Sequence, residues 1–296
     1  MRRTKFPFAW IVFVFVSLVV GLGPRVSRAQ GVSVTPLRVL FDGRERSTTV
    51  FLSNRTSTQN TYRISLVNRR MLPDGDIVPA DEAGPGEYFA DEMISFSPRR
   101  VSIAPQSAQT IRLLVRRPRG NFPENVEFRT HMSIQSIPPT PRLEDLETND
   151  KLIEEQRLLV QPVVTVETVI PVLIRFGNPQ ATIALTNPRL KLRGPELSEP
   201  QLVVDLVRAG DRSVYGDLEV FHVRPDGSRE SIYVSRGLAV YCPLEVRTKT
   251  IRMKGVDPAG LTTGSLLVRF EETPEMNGDQ VAELVVPLST ETASLR

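Results

Sequence analysis

Short runs of alternating apolar and polar residues, rich in Val, Ile and Thr and separated by Gly, Pro, Asn and Asp, limit what this chain can become. They cover residues 48–53, 62–67, 109–115, 127–134 and 160–175. A second set covers 182–186, 201–207, 216–223, 231–235, 245–253, 265–270 and 281–287. A period of two puts successive side chains on opposite faces of a strand. Many short strands with turn signals between them predict an all-β chain built from β-sandwiches. Arg224-Pro-Asp-Gly-Ser228 is the clearest hairpin turn, because Gly227 takes the positive φ of a tight turn at no steric cost. Phe176-Gly-Asn-Pro179 interrupts the strand pattern and starts a new one, so the boundary is placed there. Two polar excursions, 72–92 and 138–156, lengthen the first part. The second is proline-rich, then acidic, and reads mainly as a mobile loop with a short helix near 152–159.

The first 29 residues read as a cleaved signal peptide. Arg2, Arg3 and Lys5 form a positive head, residues 8–22 are apolar apart from Ser17 and Gly21, and Ser27-Arg-Ala29 offers small residues before a cut ahead of Gln30. The apolar run is short for a membrane span, and an uncleaved anchor is the competing reading. The domains expected are therefore 1–29 signal peptide, 30–176 and 177–296. The signal carries five of the 37 basic residues and none of the 34 acidic ones. The mature chain is left with 32 basic residues and a slight acidic excess, so charge lends no support to a nucleic-acid partner. Cys242 is the only cysteine, which excludes an intramolecular disulfide despite export, and it reads as a small apolar strand residue.

The catalytic inventory is thin. His131 and His222 are far apart in sequence, have no cysteine nearby, and both read as half-buried or surface strand histidines rather than metal ligands. No zinc spacing, phosphate-binding glycine loop or nucleophile elbow is present. No enzyme activity, cofactor, metal or small-molecule substrate is expected.

The informative constellation is the long strand candidate from Leu159 to Arg175. Val160, Pro162, Val164 and Val166 would lie on one face, and Leu159, Val163, Thr165 and Val169 on the other. With apolar residues on both faces, it needs a second covering surface beside its own sandwich. Pro162 argues for an edge position, since it cannot donate to a ladder. A long apolar edge is an aggregation hazard unless pairing with a partner is its task. A central strand of a well-covered sandwich fits the pattern equally.

Several stretches, in this order and spacing, resemble the periplasmic chaperones of chaperone-usher pilus assembly. They are residues 32–43 and 47–54, Phe96-Ser-Pro-Arg-Arg-Val-Ser-Ile-Ala-Pro-Gln-Ser-Ala-Gln-Thr-Ile-Arg112, Phe128-Arg-Thr-His-Met-Ser-Ile-Gln-Ser-Ile-Pro138 and Ile170-Pro-Val-Leu-Ile-Arg175. The resemblance implies two immunoglobulin-like β-sandwich domains. It also implies a periplasmic chaperone that lends its last first-domain strand to pilus or fimbrial subunits for delivery to an outer-membrane usher, without ATP. Self-association through the same strand is a further option. Three roles are implied by the same likeness. Arg38, within the opening strand, would anchor the subunit's C-terminal carboxylate. Pro162, Val164 and Val166 would fill the subunit groove, or Val163 and Thr165 if the register slips by one. Pro171 stands where the family commonly has a second basic anchor, and Arg175 is a candidate replacement or an ordinary domain-junction residue. The alternative is a secreted structural or adhesive β-sandwich protein without chaperone activity. A β-sandwich carbohydrate-active enzyme is a third class, for which two converging carboxylates would be needed.

Overall fold

A computed structural model describes residues 32–117, 120–138, 165–192, 199–276 and 278–288. The chain forms two β-sandwiches with separate cores. The expected signal peptide, the 152–159 helix and the donor residues Val160, Pro162, Val163 and Val164 lie outside the described residues.

The first sandwich comprises β1 (Val32–Thr35), β2 (Val39–Phe41), β3 (Ser47–Asn54), β4 (Asn60–Val67), β5 (Arg69–Met71), β6 (Ile77–Pro79), β7 (Ile94–Ser97), β8 (Arg100–Ile103), β9 (Ala108–Val115), β10 (Val126–Ile137) and β11 (Glu167–Phe176). One sheet has the order β1-β3-β9-β7 and the facing one β2-β11-β10-β4-β8. Alternation sorts their side chains: Val50 and Leu52 of β3 enter the core while Phe51 between them is exposed. Each fully buried aliphatic side chain contributes about 1.5–3 kcal/mol, and this core supplies the first domain's stability without a disulfide.

Two strands change sheets at a proline. The stretch 32–43, expected as a single strand, stops at Pro36. β1 pairs with β3, and β2 resumes in the other sheet, parallel to β11. The same break recurs at Pro98: β7 pairs with β9, and β8 with β4. Both X-Pro bonds are cis. Proline offers no N–H, so each ladder stops there and the chain is free to join the opposite sheet.

β11 ends at Phe176, Gly177 takes φ +70°, and the second sandwich begins with β12 (Ala181–Lys191). It continues through β13 (Gln201–Gly210), β14 (Val214–Val223), β15 (Arg229–Val240), β16 (Val246–Arg252), β17 (Ser265–Glu272) and β18 (Val281–Pro287). Its sheets have the orders β12-β13-β16 and β15-β14-β17-β18. The β14–β15 turn is the Arg224–Ser228 hairpin, with Gly227 at φ +83°.

Two sequence expectations change here. The 72–92 excursion is no plain polar insert: it contains most of the β5–β6 hairpin, whose Met71 and Ile77 pack with Ala239 and Tyr241 of the second domain. The backbone N–H of Thr248 donates to the carbonyl of Pro73 at 2.7 Å, tying the hairpin to β16. Cys242 is in the turn after β15 rather than in a strand. Burial and the nearby Glu127 carboxylate push its thiol up to about 12.

Candidate functional site

The sheet containing β10 and β11 is buried on both faces. Phe128, Met132 and Ile134 of β10, with Ile170, Val172 and Ile174 of β11, point into the first core. The intervening residues Glu127, Arg129, His131, Pro171, Leu173 and Arg175 are also buried, though most are polar. Alternation puts them on the opposite face, toward the second domain. The second covering surface demanded by the apolar 159–175 pattern is therefore, for the described part of the strand, the partner domain of the same chain.

At one end of this seam Arg175 joins the domains. Its Nε donates to Glu127 Oε2 at 2.9 Å, its Nη1 to the carbonyl of Met276 at 2.7 Å and its Nη2 to the carbonyl of Ser213 at 3.2 Å. The other Glu127 oxygen accepts from the backbone N–H of Ser213 at 3.1 Å and from its hydroxyl. Nearby, Arg212 makes a bidentate pair with Glu272 at 2.7 and 2.9 Å. Arg175 is thus occupied by β17's following turn and by the start of β14. Of the two roles expected for Arg175, carboxylate anchor or domain-junction residue, these contacts are of the junction kind.

The middle of the seam is basic. Arg38 immediately precedes β2, and the parallel register Val39↔Val172 sets it beside Pro171, which pairs in turn with His131. The Arg38 guanidinium stacks on Tyr215, 3.2 Å from the ring centroid, and lies 5.8 Å from that of Tyr241. Arg129 approaches the same Tyr241 ring at 4.6 Å, and His131 meets it edge-on at 6.3 Å. Arg129 Nη2 donates to the carbonyl of Arg69 at 3.1 Å and to Glu87 at 3.5 Å, a carboxylate also held by Arg70 Nε at 3.0 Å. His131 is 4% exposed, not half-buried as its strand pattern suggested. Desolvation first, then the charges of Arg129, Arg69 and Arg38, push its imidazole down to about 3, so it is neutral at pH 7. Burial likewise lowers Arg129 and Arg247 and raises Tyr241. His222 is buried elsewhere, with Nε2 3.0 Å from the carbonyl of Thr263. Among the described residues no group of three His, Cys, Asp or Glu is placed to hold a metal.

The third feature is an unpaired edge. β11 runs antiparallel to β10 along its whole length, from Glu167↔Gln135 to Phe176↔Val126. Its other edge meets β2 only at Val172, Leu173 and Ile174. Residues 167–171 have no strand on that side among the described residues. Val166, just ahead, accepts at its carbonyl from the backbone N–H of Ser136 and donates its own N–H to Ser136 Oγ, both at 2.9 Å, and is 45% exposed; Thr165 beside it is exposed too. Val166 shares the two-residue phase of Ile170, Val172 and Ile174, the core-facing set.

Sequence reasoning singled out Arg38, Arg175 and Val166 but missed Arg69, Arg129, Tyr215 and Tyr241. The signal available was Glu127, Arg129 and His131 in alternation on a strand whose other face carries Val126, Phe128, Met132 and Ile134. That pattern marks a second face, and nothing in it says the face is buried by another domain.

No protein-family model matches the chain, and no curated protein matches it. Among solved structures it is similar to the YadV chaperone, at 12% identity and a TM-score of 0.45, over 86% of this chain and 99% of that one. It is similar to the Pseudomonas aeruginosa CupB2 chaperone at 14% identity and 0.42, over 87% and 100%. A third is the CsuC–CsuE chaperone–tip adhesion subunit pre-assembly complex from archaic chaperone-usher Csu pili of Acinetobacter baumannii, at 11% identity and 0.42, over 86% and 97%. The chain is an all-β protein of two β-sandwiches, and these three solved structures are of chaperones, the third in complex with a tip adhesion subunit.

Proposed function

We propose that this protein is a periplasmic chaperone that stabilises pilus- or fimbria-like subunits by lending them a β-strand, before their assembly at an outer-membrane usher. The observation that carries the reading is the half-open edge of β11. Among the described residues, 167–171 have a ladder on one side only and present C=O groups and, Pro171 apart, N–H groups, in a strand that is paired on both sides at Val172–Ile174. Such an edge is a template for a foreign strand, and a rigidly held template loses little entropy on pairing. In this reading Pro162, Val164 and Val166, alternate positions in the sequence, fill the client's groove, each valine contributing about 1.5–3 kcal/mol when buried. Arg38, at the entrance of the seam and stacked on Tyr215, anchors the client's terminal carboxylate; a charged hydrogen bond of that kind is worth about 1.5–3 kcal/mol. No nucleotide is consumed: strand pairing and groove filling supply the free energy.

The test is co-expression with a candidate subunit from the same genome. The subunit should accumulate in the periplasm only when this protein is present, and Arg38→Ala together with Val164→Asp should abolish that protection. Unchanged subunit survival with the double variant would refute the proposal.

A further inference from the structure

The two sheets of the first sandwich part at the end where β2, β9 and β11 finish and β3 starts, and a crevice of about 380 Å³ lies between them there. Its floor is apolar: Phe41, paired with Ile174 in the parallel β2–β11 register, together with Val115 and Phe176. Its rim is basic. The backbone N–H of Val115 donates to the carbonyl of Arg46 at 2.9 Å, and that of Arg116 to the carbonyl of Met93 at 2.9 Å, so the last rungs of β9 set Arg46, Arg116 and Arg117 beside the floor. All three arginines are exposed, and among the described residues none has an ion pair or a side-chain hydrogen bond. Glu45 is the single acid among the described lining residues. The Arg117 guanidinium lies 5.7 Å from the centroid of Phe176, whose ring meets Phe128 edge-on at 6.0 Å. Phe41, Ile174 and Phe176 pack with the first core, whereas Arg175 between them faces the second domain. The open 167–171 edge is at the other end of β11. The crevice is therefore separate from both the seam and that edge.

We infer that this crevice takes an aromatic side chain from an acidic, extended segment of a partner protein, with the ring on the floor and the flanking carboxylates on Arg46, Arg116 and Arg117. Charge complementarity selects the occupant. A wholly apolar guest leaves three guanidinium groups without a counter-charge, and a bare anion leaves the floor uncovered; a ring between carboxylates meets both demands. A ring suits the place better than an aliphatic chain, because guanidinium groups lie against aromatic faces and Phe176 already belongs to an edge-on pair. The volume is near the lower end of the range for ligand sites, roughly 300–1,000 Å³, so the crevice holds one or two side chains rather than a whole strand. Aromatic residues and arginine are also the types enriched at the centres of protein interfaces. This site stands independently of the strand-lending reading.

The test uses the full mature chain and peptides blocked at both ends, so that no chain terminus takes part: acetyl-Glu-Asp-Phe-Asp-Glu-amide, the same peptide with Ser for Phe, and acetyl-Lys-Lys-Phe-Lys-Lys-amide. Phosphatidylglycerol vesicles are the fourth probe. Calorimetry gives affinities, and methyl NMR reports where the peptide sits. The acidic Phe peptide should bind, about tenfold or more tighter than its Ser counterpart, and more weakly as salt is added. The lysine peptide should not bind. Arg116→Ser with Arg117→Ser should weaken the acidic peptide about fivefold or more, since each exposed pair is modest. Arg100→Ser with Arg252→Ser removes the same charge from exposed positions elsewhere and should leave binding unchanged. Equal losses in the two double variants would mean unspecific attraction and overturn the site. Equal binding of the Ser peptide would remove the ring from the crevice and do the same. Binding to the vesicles without binding to the peptide would make the basic rim a lipid contact and refute the assignment. Should a variant fail to fold, the parent chain decides alone: the methyl signals of Val115 and Ile174 should shift with the acidic Phe peptide, and unmoved signals refute the inference.

Discussion

Removing Arg175 should cost this protein more than removing any exposed arginine, and the seam geometry sets the size. Arg175 and Glu127 are both buried, at 5% and 4% exposure, and the arginine also donates to carbonyls of Ser213 and Met276 across the domain boundary. Truncating one partner of a buried ion pair costs about 3–5 kcal/mol, because the other charge stays in a poorly solvated place. In Arg175→Ala, Glu127 keeps two donors from Ser213; in Glu127→Ala, Arg175 keeps two carbonyl acceptors but no counter-charge. The glutamate variant should therefore be the worse of the two. For a chain of this size that range corresponds to a fall in Tm of about 6–20 °C. Thermal and urea unfolding of the parent, both single variants and the Glu127→Leu/Arg175→Met double variant supply the measurement. The double variant should cost less than the sum of the singles by about 0.5–3 kcal/mol, since it leaves no orphaned charge. Singles that each cost under about 1 kcal/mol and simply add would refute the lock.

His131 gives a pH signature. Its folded-state midpoint is about 3 against an ordinary 6.5, so the unfolded chain binds the proton first as pH falls. Its contribution is complete above pH 6.5 and is lost between 6.5 and 3, at up to about 1.4 kcal/mol per pH unit. His131→Gln should flatten that limb of the urea-midpoint profile, and an unchanged slope would argue against a buried neutral imidazole. Cys242, half-buried and with its thiol pushed up to about 12, should react slowly with iodoacetamide at pH 8 in the native state and faster on unfolding in urea; equally rapid native labelling would contradict the raised thiol. A Cβ on Gly177 would sit 2.3 Å from the carbonyl oxygen of Glu124, at φ +70°. Gly177→Ala should therefore destabilise by more than about 1 kcal/mol in urea, whereas Gly227→Ala, with open space and the same sign of φ, should cost less.

Strand existence was legible because a pleated strand imposes its period of two on the sequence wherever one face is wet. β3, β4, β9 and the strands of the second domain carry that alternation plainly. The strand breaks at Pro36 and Pro98 were not read from sequence, since a proline marks the end of a ladder without saying which sheet the chain joins next. β5 and β6 were missed because three-residue strands with Arg69, Arg70 and Pro79 have too few apolar positions to show a period. Arg38 stood out only through the resemblance, and Arg175 could be read as an anchor or a junction until its three acceptors were seen.

Local sequence alone settled the β-rich class, the turn at Gly227 and the interruption at Gly177, because these depend on side-chain alternation and on backbone dihedrals that only a few residue types allow. Tertiary structure decided that Arg129 and His131 share Tyr241 with Arg38, that Arg175 bonds across the two domains, and that residues 167–171 have, among the described residues, one edge without a strand. Each of those facts joins residues tens of positions apart. Their proximity follows from sheet register and from the docking of one sandwich on another, and no pattern within a single strand encodes it.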